Sequence, residues 1–122
     1  MPVIELDAAT FRRHVLESTT PVVVDFYADW CGPCKQVAPV VEALAAEWED
    51  EVTFAKLDID ASPEVAAAFN IRSIPAIILF EDGAPKAWSL GAKPGYLLER
   101  ELGLAKRKRD KARGEKRSWW RR

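Results

Sequence analysis

Cysteine occurs only twice in this 122-residue chain, at Cys31 and Cys34, and histidine once, at His14. Two cysteines exclude a small disulfide-dense scaffold. A zinc site wants about four ligands, so these residues would make one only with a second chain. Long apolar runs are missing as well. The longest, Ile74 to Phe80 and Pro21 to Val24, fall far short of the roughly 20 residues that cross a bilayer, and no transmembrane helix is expected. The stretch from Met1 to Asp7 has no basic leader, long apolar core or small-residue cleavage site, which makes the cytoplasm the expected location. There is no glycine-rich phosphate loop and no internal repeat.

What is present is ordinary for a folded protein. Apolar residues make up 48% and charged residues 30%, and the length suits one domain with one core. The net charge of −1 hides an asymmetry: residues 1–104 carry 8 basic against 17 acidic residues, and residues 105–122 carry 10 against 2. Body and tail, at −9 and +8, therefore need separate electrostatic arguments.

Hydrophobic periodicity gives the order βαβαβαββα. Val3 to Leu6 reads as a short strand, and Asp7 as the N-cap of a helix from Ala8 to Glu17. Val22 to Tyr27 is β-branched and aromatic, as in a strand covered on both faces. A helix follows Cys31-Gly32-Pro33 and carries Val37, Val41, Leu44, Ala45 and Trp48, with Pro39 predicting a kink. Val52 to Ile59 is the next strand, and Ser62-Pro63-Glu64 opens a short helix through Phe69, with Asn70 suited to the left-handed position past its end. Ile74 to Phe80 is a strand with Pro75 near its start, and Glu81-Asp82-Gly83 turns into Ala87 to Leu90. Pro94 then opens one last helix with Leu97, Leu98, Leu102 and Leu104. Helical crossovers imply parallel strand pairs and the late hairpin an antiparallel one, giving an α/β fold with a mixed central sheet flanked by helices.

The chemistry concentrates at the cysteines. Cys31 lies where a strand gives way to a helix, and the unpaired N–H groups of a first helical turn favour thiolate over thiol. Cys34, one turn on, is placed to attack a mixed disulfide formed on Cys31, so that the pair can exchange two electrons with another disulfide. Gly32 and Pro33 restrain the ring between them, proline losing no useful hydrogen bond in a first turn. A purely structural disulfide is disfavoured, because so small a loop constrains little of the unfolded chain.

The segment Val24-Asp25-Phe26-Tyr27-Ala28-Asp29-Trp30-Cys31-Gly32-Pro33-Cys34-Lys35 closely resembles the active-site segment of the thioredoxin family. The likeness continues through Ala38-Pro39, Ala55 to Asp60, Ile71-Arg72-Ser73-Ile74-Pro75 and Leu90-Gly91-Ala92, covering about residues 3–104. It implies a thioredoxin fold and a protein-disulfide reductase, with Cys31 as the exposed nucleophile and Cys34 as the buried resolving thiol. Asp25, an acid costly to bury ionised, would accept the proton of Cys34, with Lys56 on the neighbouring strand tuning it. Pro75 would be cis. Trp30, Gly32, Pro33, Ile74, Pro75, Gly91 and Ala92 would form a shallow substrate groove in which the Ile74 backbone pairs with an extended segment. The resemblance further implies no bound cofactor beyond the Cys31–Cys34 disulfide, and a monomer that passes electrons from NADPH, through a flavoprotein thioredoxin reductase, to protein disulfide substrates. Ala76, Pro85 and Trp88 depart from the commonest family pattern, with consequences for partner choice rather than cysteine chemistry.

Other readings remain beside this one. A thiol oxidase or disulfide isomerase would use the same fold, but Gly32-Pro33 resembles reducing members and lacks the histidine common in oxidising sites. A binding module directed by its tail would keep its main task in a Cys31→Ser variant. The basic tail, ending Ser118-Trp119-Trp120-Arg121-Arg122, suits nucleic acid, an acidic protein or an anionic membrane with the tryptophans at its interface. A helical extension fraying into a solubilising end fits it equally. Glu49-Asp50-Glu51, Asp58 and Asp60 read as solvated charge, and His14 as a helix-surface residue.

Overall fold

The computed structural model describes residues 2–112. Five strands form one sheet in the order β1-β3-β2-β4-β5. β1 (Val3–Leu6), β2 (Val22–Tyr27) and β3 (Thr53–Asp58) are mutually parallel, whereas β4 (Ala76–Glu81) runs antiparallel to β2 and β5 (Ala84–Leu90) antiparallel to β4. The mixed sheet and its flanking helices are those expected from the sequence.

Side-chain alternation divides β2 between two cores. Val22, Val24 and Phe26 join one with Phe11, Val65 and Phe80, where the rings of Phe11, Phe69 and Phe80 meet at 5.2–5.7 Å. Val23 joins the other, with Val37, Val41 and Leu44 of α2 (Gly32–Glu47) and with Leu98, Leu102 and Leu104 near the carboxyl end. Asp25 has the parity of Val23, so the sheet turns its carboxyl toward α2, the helix that carries Cys34.

Asp7 caps α1 (Ala8–Phe11): its Oδ1 accepts from the Thr10 N–H at 2.9 Å, and Thr10 Oγ1 accepts from the Asp7 N–H at 3.0 Å. The helix then widens into a π turn over Arg12–Leu16, closed by Glu17 N–H donating to the Arg12 carbonyl at 2.9 Å. A spacing of four between buried Phe11 and Val15 suits either winding, so periodicity alone did not reveal the change. α3 is Pro63–Ala68, and Asn70 follows it at φ 57°. Asp82 and Gly83, both at positive φ, make the two-residue turn joining β4 to β5. A Cβ on Gly83 would come within 2.6 Å of the Leu16 carbonyl oxygen.

Further boundaries correct the sequence reading: β5 begins at Ala84, directly after the turn, rather than at Ala87. β4 begins at Ala76, after Pro75, since proline has no N–H to donate to a ladder. The last helix is two: α4 (Gly95–Glu101) stops where Gly103 turns left-handed at φ 78°, and α5 (Leu104–Ala112) starts afresh. Restarting at Leu104 keeps that leucine in the core and brings Arg107 inward, where its guanidinium meets Glu81 at 2.6 Å with both side chains buried. Lys108 pairs with Glu47 at the end of α2 and with Glu99 on α4, which also accepts from the Trp48 indole at 3.0 Å. The tail residues from Arg113 on, including Trp119 and Trp120, lie outside the described residues.

Candidate functional site

The strand-to-helix junction places both cysteines. Cys31 is the N-cap of α2 in an extended conformation, and Gly32 and Pro33 form the exposed first turn. Cys31 and Cys34 are joined in a disulfide with their Cα atoms 5.3 Å apart. The Cys34 N–H donates to Cys31 Sγ at 3.1 Å, so an otherwise unpaired amide of the first turn is aimed at that sulfur.

Exposure does not separate the two. Cys31 is 5% exposed and Cys34 4%, so in this oxidised form Cys31 is not the exposed residue that the family likeness implies. The physical reason is local packing: Tyr27, Ile59 and Ile74 close over the pair with Ala28, and Cys31 Sγ lies 3.9 Å from the Ile74 carbonyl. Position distinguishes them instead. Cys31 is at the mouth of the helix beneath Ile74, while Cys34 lines an inner cleft.

That cleft, about 150 Å³, is lined by Asp25, Tyr27, Ala28, Asp29, Cys34, Lys35, Ala38 and Lys56. Asp25 is 4% exposed, and its Oδ1 has no hydrogen-bond partner among the described residues. Burial pushes its carboxyl up to about 7, against a smaller opposing pull from Lys56, its register partner on β3. The Lys56 ammonium is paired with Glu5 at 3.6 Å rather than with Asp25. Tyr27 donates its hydroxyl to Glu5 at 2.9 Å; burial, and then this bond, hold the phenol above its ordinary value.

On the outer side, the Ile74–Pro75 peptide is cis and the Pro75 carbonyl accepts from the Gly91 N–H at 2.9 Å, which ties the loop after β5 to the loop before β4. Ile74 reaches the cysteines, Pro75 is buried, Gly91 is half-buried and Ala92 is exposed beside it. Trp30 is 69% exposed, its indole N–H donating to Asp60 Oδ2 at 2.7 Å. The structure thus gathers Cys31, Cys34, Asp25, Lys56 and Ile74 around one disulfide, with Trp30, Gly32 and Pro33 on the adjoining surface and Gly91 linked through Pro75.

Sequence reasoning missed two residues here. Asp60, read as solvated charge, fixes the Trp30 ring; its distance of thirty positions in the chain left no local signal. Glu5 was legible only as part of a short strand. Its parity with Val3 puts it on the α2 face, but only the register Glu5↔Lys56↔Asp25 brings it to the cleft. Among the described residues no group of three or more His, Cys, Asp or Glu is placed to hold a metal ion, and no helix is long and apolar enough to cross a membrane.

A family model described as thioredoxin matches residues 2–102. The thioredoxin of Mycolicibacterium smegmatis is 54% identical over 98 residues, which span 79% of this chain and 88% of that protein. The thioredoxin of Mycobacterium tuberculosis is 52% identical over 99 residues, spanning 81% and 85%. A bifunctional thioredoxin reductase/thioredoxin of Mycobacterium leprae is 50% identical over 99 residues, which make up 22% of that longer protein.

Proposed function

The chain belongs to the thioredoxin family and is a thiol–disulfide oxidoreductase working through Cys31 and Cys34, and from that premise we propose that it acts in the reducing direction on protein disulfides in the cytoplasm. The observation that carries the proposal is the placement of the cysteine pair: one sulfur at the N-cap of α2, the other sharing a cleft with the buried Asp25 carboxyl, whose Oδ1 accepts no hydrogen bond from the described residues.

The steps follow from those positions. The Cys31 thiolate, favoured by the first-turn amides, attacks a substrate disulfide; a Cys31–substrate bond forms, and the departing substrate sulfur takes up a proton. Cys34 then gives its proton to Asp25, and its thiolate attacks Cys31 Sγ, which forms the intramolecular disulfide and releases the second substrate sulfur. Two electrons have passed to the substrate. Asp25 suits the acceptor role because a carboxyl near 7 is balanced between its two forms at neutral pH. Among the described residues, Lys56 is the charge that opposes the effect of burial on that carboxyl. Trp30, Gly32, Pro33, Ile74, Pro75, Gly91 and Ala92 receive the substrate, whose extended backbone pairs with Ile74.

Regeneration requires a reductant for the disulfide. A relative that joins thioredoxin reductase and thioredoxin by name supports a flavoprotein reductase drawing on NADPH as the partner. The test is a coupled assay containing NADPH, a bacterial thioredoxin reductase, this protein and a disulfide-bonded protein substrate. NADPH consumption that needs the wild-type chain and is lost in Cys31→Ser is expected; no consumption with the wild-type chain would refute the route.

The domain division fits the same reading. Residues 1–104 form the redox unit and residues 105–122 add a cationic contact for an anionic partner, whether nucleic acid, acidic protein or lipid surface. The anchoring of α5 favours a contact away from the disulfide: Lys108 meets Glu47 at the far end of α2, and sixteen helical residues from Gly32 to Glu47 span about 24 Å.

A further inference from the structure

Glu5, Lys56 and Asp25 stand in register on three adjacent parallel strands, and all three have the parity of residues that face α2. The central cation thus has an acid on either side. Its ammonium is 3.6 Å from Glu5, and among the described residues it forms no ion pair with Asp25 within 4 Å. Tyr27 reinforces the choice: its hydroxyl donates to Glu5 at 2.9 Å, and its ring lies 5.6 Å from the Lys56 ammonium.

Stability does not account for this arrangement. The Glu5 and Lys56 side chains are 55% and 40% exposed, and such pairs contribute about 0–1 kcal/mol. Where the ammonium sits has a larger consequence. A cation brought within about 4–6 Å of a carboxyl favours its ionised form strongly, and an Asp25 kept ionised would be a poorer proton acceptor at neutral pH.

We propose that Glu5 is a positioning residue that holds the Lys56 ammonium off Asp25 and so sets the protonation state of the cleft carboxyl. The inference rests on reading Asp25 as the proton acceptor for its functional meaning, but the Glu5–Lys56–Asp25 coupling stands by itself. The other charged or titratable groups lining the cleft are Lys35 on α2, Asp29 in the loop after β2 and Tyr27 on Asp25's own strand; Cys34 is in the disulfide, and β4 opposes Asp25 with Ile77. Asp58, of the same parity as Lys56 on β3 and opposite Tyr27, and Asp29 both act on the Tyr27 phenol; among the described residues the carboxylate in an ion pair with Lys56 is that of Glu5.

The test is a carbon-13 NMR titration of the Asp25 carboxyl in the full-length disulfide form, where no thiol titrates beside it. Glu5→Gln keeps size and a hydrogen-bond acceptor for Tyr27 while removing the charge. Its Asp25 midpoint should fall by at least about half a pH unit, and that of Lys56→Met should rise. In a Lys56→Met background, Glu5→Gln should produce no further fall. An unmoved midpoint in Glu5→Gln, or an equal fall with and without Lys56, would overturn the inference. Midpoints that move as expected while the rate of mixed-disulfide resolution ignores them would uphold the coupling and remove Asp25 from the proton role instead.

Discussion

The Cys34 amide donates to Cys31 Sγ at 3.1 Å, which gives the two cysteines different work although they are buried alike. Only the first sulfur sits where the helix terminus favours a thiolate. Cys34→Ser is therefore expected to accumulate stable mixed disulfides with protein substrates through Cys31, and Cys31→Ser to form none. Non-reducing gels followed by mass spectrometry read the difference directly, and equal trapping by both variants would reverse the assignment.

Asp25 links the site to stability. Its folded carboxyl holds its proton up to about 7, whereas an unfolded aspartate ionises near 3.8. With the folded value raised, the stabilising contribution is fully present below about 3.8 and is lost as pH climbs through 7. The interval between the two values corresponds to about 4 kcal/mol. Asp25→Asn, in the disulfide form, should match the wild type near pH 3.5, gain progressively above it and level off by a few kcal/mol above neutrality. Denaturant melts across this pH range test the curve, and a pH-independent difference would contradict it.

The carboxyl-terminal segment has a different kind of attachment. Ending the chain after Ala112 keeps the buried Arg107–Glu81 pair, and small-disulfide reduction and thermal midpoint should stay near wild type. Ending it after Leu104 strands Glu81 without its guanidinium, a change of the kind that costs about 3–5 kcal/mol. Arg107→Met should behave like the shorter chain, and adding Glu81→Leu should restore most of the loss, because an apolar pair replaces both charges. Calorimetry of the set distinguishes a docked helix from an appended tail. If the chain ending at Leu104 melts with the wild type, the docking is dispensable.

How much of this could be read beforehand depended on whether the cause was local. β2 was legible because Val22 to Phe26 is covered on both faces, and the Asp7 cap because its partner Thr10 is three residues away. The chemistry of Cys31 and Cys34 was legible for the same reason: their spacing and their strand-to-helix junction are contiguous in the chain. The break at Gly103 was hidden by leucines at 98, 102 and 104, which continue a helical pattern through a residue whose positive φ ends it. Arg107 vanished into a run of basic residues, since nothing in such a run marks the one that will meet Glu81 26 positions away. Glu5 and Asp60 escaped notice because strand register and a loop contact across thirty residues, respectively, bring them to the site.

The reduction potential of the Cys31/Cys34 couple, equilibrated against a thiol redox buffer with the full chain, tests the central claim most directly. A value of about −270 mV is expected, the potential characteristic of thioredoxins as a family rather than a consequence of this geometry. A value in the region of about −120 to −180 mV, where oxidases and isomerases lie, would contradict a reductase and the cytoplasmic assignment with it.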